Sequence, residues 1–136
     1  MSQPEPRRLE TRAGPAALAE IEDALARTWS DHPWVPSPVR MELAIAVGEI
    51  GANIIEHAAA GRPARLSMVV RVLPNEVWVE FTDDGSPMAV DLSSVCLPDA
   101  MAERGRGLAL AQAVLKELTY QRNGQNHWTL VSRSFA

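Results

Sequence analysis

The sequence predicts an α+β domain, a mostly antiparallel sheet of four or five strands with three helices on one face. Three observations carry that expectation. Two runs, "ARLSMVVRV" and "VWVEFTD", alternate apolar and polar residues and are joined through Pro74-Asn75, the pattern of a β-hairpin. Two more runs, "LTYQR" and "HWTLVSR", flank the turn-forming pair Asn123-Gly124. Three other segments repeat apolar residues at helical spacing, and short connections place those helices on one side of the sheet.

Along the chain, residues 1–8 are polar and proline-containing and read as a flexible tail, with a short strand through Leu9. Gly14-Pro15 opens a first helix, because proline costs least where its missing N–H has no partner. Leu18, Ile21 and Leu25 follow at helical spacing. "SDHPWVPSPVR" holds three prolines and must be a connector. A second helix spans roughly Val39 to Ala59 and stops at Gly61-Arg62-Pro63. After the first hairpin, residues 84–104 show little periodicity. So long a loop in a small domain is usually functional. Gly105-Arg106-Gly107 then opens an apolar helix through Leu118, and the second hairpin closes the chain.

Bulk properties narrow the function. At 136 residues, 46% apolar and 22% charged, the chain has the profile of one soluble globular domain, here residues 9–136. A net charge of −4 argues against broad nucleic-acid binding. Cys96 is the only cysteine, which excludes an intrachain disulfide and a cysteine zinc cluster. No apolar run approaches the length of a membrane span or a signal sequence, so the expected compartment is the cytoplasm.

Three segments carry chemistry. On the second helix, Leu43, Val47, Ile50, Ile54 and Ala58 form one stripe. Glu42, Glu49, Asn53 and Glu56 form another, either a solvated face or a polar site. That stripe contains no Lys or Arg, and a carboxylate and an amide four residues apart both offer oxygen to a hard cation such as Mg²⁺. Gly48 and Gly51 each cost about 1 kcal/mol relative to alanine in a helix, which suggests a close approach by another group. Asp83 shares parity with Val77, Val79 and Phe81, so strand alternation aims its carboxylate at the core side. Asp84-Gly85 is either a plain turn or the place where a flat ligand meets backbone. "ERGRGLAL" sets two glycines and two arginines at a helix start, where free amides favour phosphate. A Walker-type loop is excluded, since the only lysine, Lys116, lies late in a helix. In order, these segments offer a metal site, a base site and a phosphate site.

Those same segments resemble the boxes of the GHKL ATPases, which include gyrase-type ATPases and histidine kinases. "ELAIAVGEIGANIIEHA" looks like their N-box, "VEFTDDGSPM" their Asp-x-Gly adenine box, and "GRGLALAQAVLKELTY" their last glycine box. "NHWTLVSR" resembles the last strand of the anti-sigma factor serine kinases of the RsbW type, and the likeness runs from about residue 15 to residue 133. The resemblance implies a Bergerat two-layer α/β sandwich binding ATP and Mg²⁺, with a lid at about 88–104. It implies Glu49 as general base, Asn53 as Mg²⁺ ligand, and Asp83 as the group that reads the adenine amino group over Gly85. Gly105 and Gly107 would contact phosphates, and Arg104 or Arg106 would steady the γ-phosphate. Met88, Leu108 and Thr129 complete the implied ATP contacts, and His57 falls either at the pocket edge or on the helix surface. The implied activity is phosphorylation of a serine on a STAS-type anti-anti-sigma factor by a homodimer that also sequesters a sigma factor. Direct contact with nucleic acid or membrane is not implied. The alternative is an ATP-binding anti-sigma module without kinase activity. Pro87 stands where the family's adenine box has a second glycine, and the lid is glycine-poor. Trp78 lies opposite its strand's apolar parity and is an interface candidate.

Overall fold

Five strands form one antiparallel sheet: β1 (Arg7–Arg12), β2 (Arg65–Val72), β3 (Val77–Asp83), β4 (Glu117–Arg122) and β5 (Asn126–Val131). Their order is β1-β2-β3-β5-β4. Burial explains that order. Strand β5 buries Asn126, Trp128 and Leu130 on one face and is held between two neighbours, whereas β4 buries only Leu118 and takes the edge. Strand β1 buries no residue fully and takes the other edge. The computed structural model describes residues 5–59, 64–87 and 103–135, apart from the side chains of residues 58–59 and 103–106.

Three helices, α1 (Ala17–Asp31), α2 (Ser37–Ala59) and α3 (Glu103–Val114), pack on one face of the sheet with α2 in contact with both others. The expected α+β class and layer arrangement are observed. Helix α2 turns Val39, Leu43, Ala46, Val47, Ile50 and Ile54 inward, onto Leu66, Met68, Val70, Val79, Phe81, Trp128 and Leu130 of the sheet. Both hairpins form as read. Leu73 N–H bonds the Glu76 carbonyl across the first, and Gly124 holds a φ of 78° in the second, the left-handed conformation that glycine adopts without strain.

Several boundaries differ from the expectation. The expected flexible tail is residues 1–8, but β1 already begins at Arg7, because Arg7 and Arg8 pair with Val70 and Val69. Helix α1 starts at Ala17 after a turn closed by Ala17 N–H on the Gly14 carbonyl. Helix α3 starts at Glu103, two residues ahead of the glycines. It stops at Val114 rather than Leu118. Leu115 and Leu118 fit a helical period, yet Lys116 N–H bonds the Val131 carbonyl and the sheet ladder takes over. Trp78 is half-buried on the helix-free face and donates its indole N–H to Glu76 at 2.8 Å.

One of the two α2 glycines has a packing reason. A Cβ on Gly51 would lie 3.2 Å from Ile21 Cδ1 and 3.8 Å from Leu18 Cδ1, so the missing side chain lets α1 approach. A Cβ on Gly48 would meet nothing within 4 Å. Gly51→Val is therefore expected to overpack the α1–α2 contact, at a cost of about 1–3 kcal/mol. Gly48→Ala should leave stability unchanged or raise it by up to about 1 kcal/mol. Thermal unfolding of the two variants should separate them by several degrees, in that direction.

Candidate functional site

Helix α2 presents Glu49 and Asn53 one turn apart, both half-buried, on the flank that turns toward α3. The neighbour is close. A Cβ on Gly107 would lie 2.3 Å from Glu49 Oε2 and 3.3 Å from Glu49 Cδ. The carboxylate therefore rests where any residue other than glycine at position 107 would place its Cβ. Gly105 falls in the first turn of α3, where amide hydrogens lack intrahelical acceptors and favour an anion. Not all of the polar stripe belongs to this seam. Glu42 is drawn off by Arg133, whose Nε lies 2.8 Å from Glu42 Oε1.

At the end of β3, Asp83 is 3% exposed. Its Oδ1 accepts from Gly85 N–H at 3.0 Å and from Asn126 Nδ2 at 2.9 Å. Among the described residues its buried Oδ2 has no hydrogen-bond partner. Leaving a charged acceptor unpaired in the interior costs free energy, so this atom is suited to a donor brought by a ligand. Gly85 is required here for the carboxylate itself, since a Cβ would lie 2.9 Å from Asp83 Oδ1. Beyond it, the Ser86 carbonyl accepts from Asn126 Nδ2 at 2.9 Å and from His57 Nε2 at 3.0 Å. Only the protonated nitrogen can serve a carbonyl, so Nε2 carries the hydrogen.

His57 thus ties the end of α2 to the loop after Asp83. From His57 back to Glu49 is eight residues, about 12 Å along the helix. Asp83, Gly85 and His57 lie at one end of that span and Glu49, Gly107 and the start of α3 at the other. A cleft of about 910 Å³, walled by Arg12, Glu20, Arg65 and Leu66 among others, reaches Asp83 from the α1 side. Glu49, Asn53 and Gly107 are not in its wall, so it does not define the seam between α2 and α3.

The structure thus seats Glu49 against Gly107, with Asn53 one turn further along α2, and gathers Asp83, Gly85 and His57 at the strand end. Leu108 is half-buried against the core beside Gly107. Met88 lies outside the described residues, as do the side chains of Arg104 and Arg106 and nearly all of the lid at 88–104. Thr129 is a correction. It pairs with Glu80, and alternation puts it on the sheet face opposite Asp83, where no helix packs. The β5 residue in register with Asp83 is Asn126, which sequence reading missed. Its parity with Trp128 and Leu130 was the available signal. Arg122 and Tyr120, which bond Asn126 from β4, were missed as well. Among the described residues no group of three His, Cys, Asp or Glu side chains could hold a metal. Asn53 offers a single oxygen, which fits an Mg²⁺ completed by phosphates and water rather than a protein cage.

Residues 11–132 match the sequence profile of the histidine kinase-like ATPase domain. Among solved structures, the chain is similar to one in the crystal structure of the SiaB–SiaC complex from Pseudomonas aeruginosa. That likeness has a TM-score of 0.56 at 17% identity and covers 93% of this chain and 90% of the other. At that identity it speaks for the fold. Comparison with curated protein sequences returned no match. No helix among the described residues is long and apolar enough to cross a membrane.

Proposed function

Since the chain belongs to the histidine kinase-like ATPase domain family, which binds ATP, we propose that it is an anti-sigma factor and Mg²⁺-ATP-dependent protein serine kinase. Its substrate is a serine of a STAS-type anti-anti-sigma partner, and it sequesters a sigma factor as a homodimer. The observation that carries the nucleotide reading is Asp83 Oδ2, a buried acceptor on the helix side of the sheet with no donor among the described residues. An adenine 6-amino group supplies that donor.

Within this reading each residue has one task. Asp83 orients the base, and the first turn of α3, with Gly105, faces the phosphates. Asn53 holds Mg²⁺ through its amide oxygen; the ion, when bound, offsets charge on the transferring phosphoryl group. Glu49, unencumbered by any cation on its own helix face, accepts the proton of the incoming serine hydroxyl as that oxygen bonds phosphorus and ADP departs. The exposed apolar side chains Met41 and Ile45 on α2, with Trp34 before it, form a surface of the kind that partner proteins cover. The complex in the similar structure from Pseudomonas aeruginosa is in keeping with a partner protein.

Glu49→Gln is expected to keep nucleotide affinity within a few-fold and to lower phosphate transfer by about 10²–10⁴. The assay is label transfer from γ-labelled ATP to a STAS-type protein co-purified with the chain. Transfer at the wild-type rate by the variant removes Glu49 as the base. A second reading, an ATP-binding anti-sigma module without transfer, is favoured by Pro87 in place of a glycine after Gly85. Capture of a sigma factor with nucleotide bound, but no label on any partner, selects it.

A further inference from the structure

Asn126 is fully buried, and all four of its amide hydrogen-bond positions are filled. Nδ2 donates to Asp83 Oδ1 and to the Ser86 carbonyl, both at 2.9 Å. Oδ1 accepts from the Tyr120 hydroxyl and, at 3.2 Å, from Arg122 Nη1. A primary amide has two donor hydrogens and two acceptor lone pairs, so nothing is left over for a ligand. The orientation of the amide is also fixed. Turned over, it would set its oxygen against Asp83 Oδ1 and the Ser86 carbonyl, and its NH₂ against a guanidinium. The same Arg122 Nη1 donates to the Gly85 carbonyl at 2.7 Å, gripping the turn that caps Asp83. Asp83 Oδ1 is thus held by two donors, and Oδ2 alone stays open.

We infer that Arg122, acting through Asn126, is the positioning residue that makes this site selective for 6-amino over 6-oxo purines. The inference rests on the reading of Asp83 as the base-recognising group. A fixed Oδ2 meets the amino hydrogen of adenine. Against a 6-oxo purine the same fixed atom faces a carbonyl oxygen, and acceptor opposes acceptor. A carboxylate free to rotate escapes that conflict by turning to the neighbouring N1–H, which 6-oxo purines carry and adenine does not. Selectivity therefore depends on the clamp as well as on the carboxylate. Arg122 reaches the clamp from the exposed end of β4 and is not part of the hydrophobic core.

The test compares Mg²⁺-ATP and Mg²⁺-inosine triphosphate affinities, by direct titration, for the wild type, Arg122→Met and Arg122→Lys. The wild type is expected to prefer ATP by about 100-fold or more. Arg122→Met should cut that ratio about tenfold or more, and Arg122→Lys, which keeps a cation, should restore part of it. If Arg122→Met weakens both nucleotides equally, or neither, the positioning role is overturned while the Asp83 reading stands on the wild-type preference. A wild type that binds both nucleotides alike, or binds neither, overturns the Asp83 reading and the inference together.

Discussion

Asp83→Asn is expected to abolish ATP binding at ordinary concentrations while leaving the ligand-free domain at least as stable. Two donors, Gly85 N–H and Asn126 Nδ2, converge on Asp83 Oδ1, so only an acceptor fits there and the variant's carbonyl oxygen must take that place. Its NH₂ then occupies the position of Oδ2 and presents hydrogens to the adenine amino group, donor against donor. The loss combines a charge-assisted hydrogen bond with the cost of unpaired buried donors, together on the order of 4 kcal/mol or about a thousandfold in affinity. The opposite holds for folding. Oδ2 is buried with no hydrogen-bond partner among the described residues, and exchanging a carboxylate oxygen for a neutral amide nitrogen there lowers the cost of burial. Titration with Mg²⁺-ATP and thermal unfolding of the ligand-free variant check the two halves. Unchanged affinity would sink the base-recognition role, and a fall of many degrees in Tm would mean that the carboxylate serves the fold.

The same residue shows what could be read from the sequence and what could not. Asp83 was legible because strand alternation is local. Four positions of matching parity, Val77 to Asp83, fix the face without knowledge of any neighbour. Glu49 and Asn53 were legible for the equivalent helical reason. Asn126 obeys the same alternation rule, but its importance lies in being opposite Asp83 across β3 and β5, and that pairing arises only when β5 inserts between β3 and β4. Thr129 is implied only by likeness to a family strand, and its parity, opposite to that of Trp128, places it on the other face of the sheet. The glycines divide the same way. Gly124 announces itself by its turn, whereas Gly51 and Gly107 owe their identity to side chains on other helices, Ile21 and Glu49. No local pattern in the sequence reports that contact.

Gly107 also gives the sharpest separation between folding and chemistry. Gly107→Ala would place a methyl group 2.3 Å from Glu49 Oε2, far inside contact distance. Something must move, and the easiest mover is the end of the flexible Glu49 side chain rather than the backbone of either helix. Alanine in place of glycine within a helix contributes up to about 1 kcal/mol of stability, which offsets the strain of the displaced carboxylate. The fold and Tm should therefore survive, and Glu49, the proposed general base, should lose its seat. Phosphate transfer is expected to fall by about 10²-fold or more, the scale of a lost or misplaced base, with ATP affinity changed far less. Adding Glu49→Gln tells this apart from a direct effect on phosphate. If Gly107 acts by seating Glu49, Gly107→Ala does little further harm to a chain that already lacks the base, and the two losses fail to add. Full additivity would place the role of Gly107 at the phosphates instead and leave the base seated by other contacts.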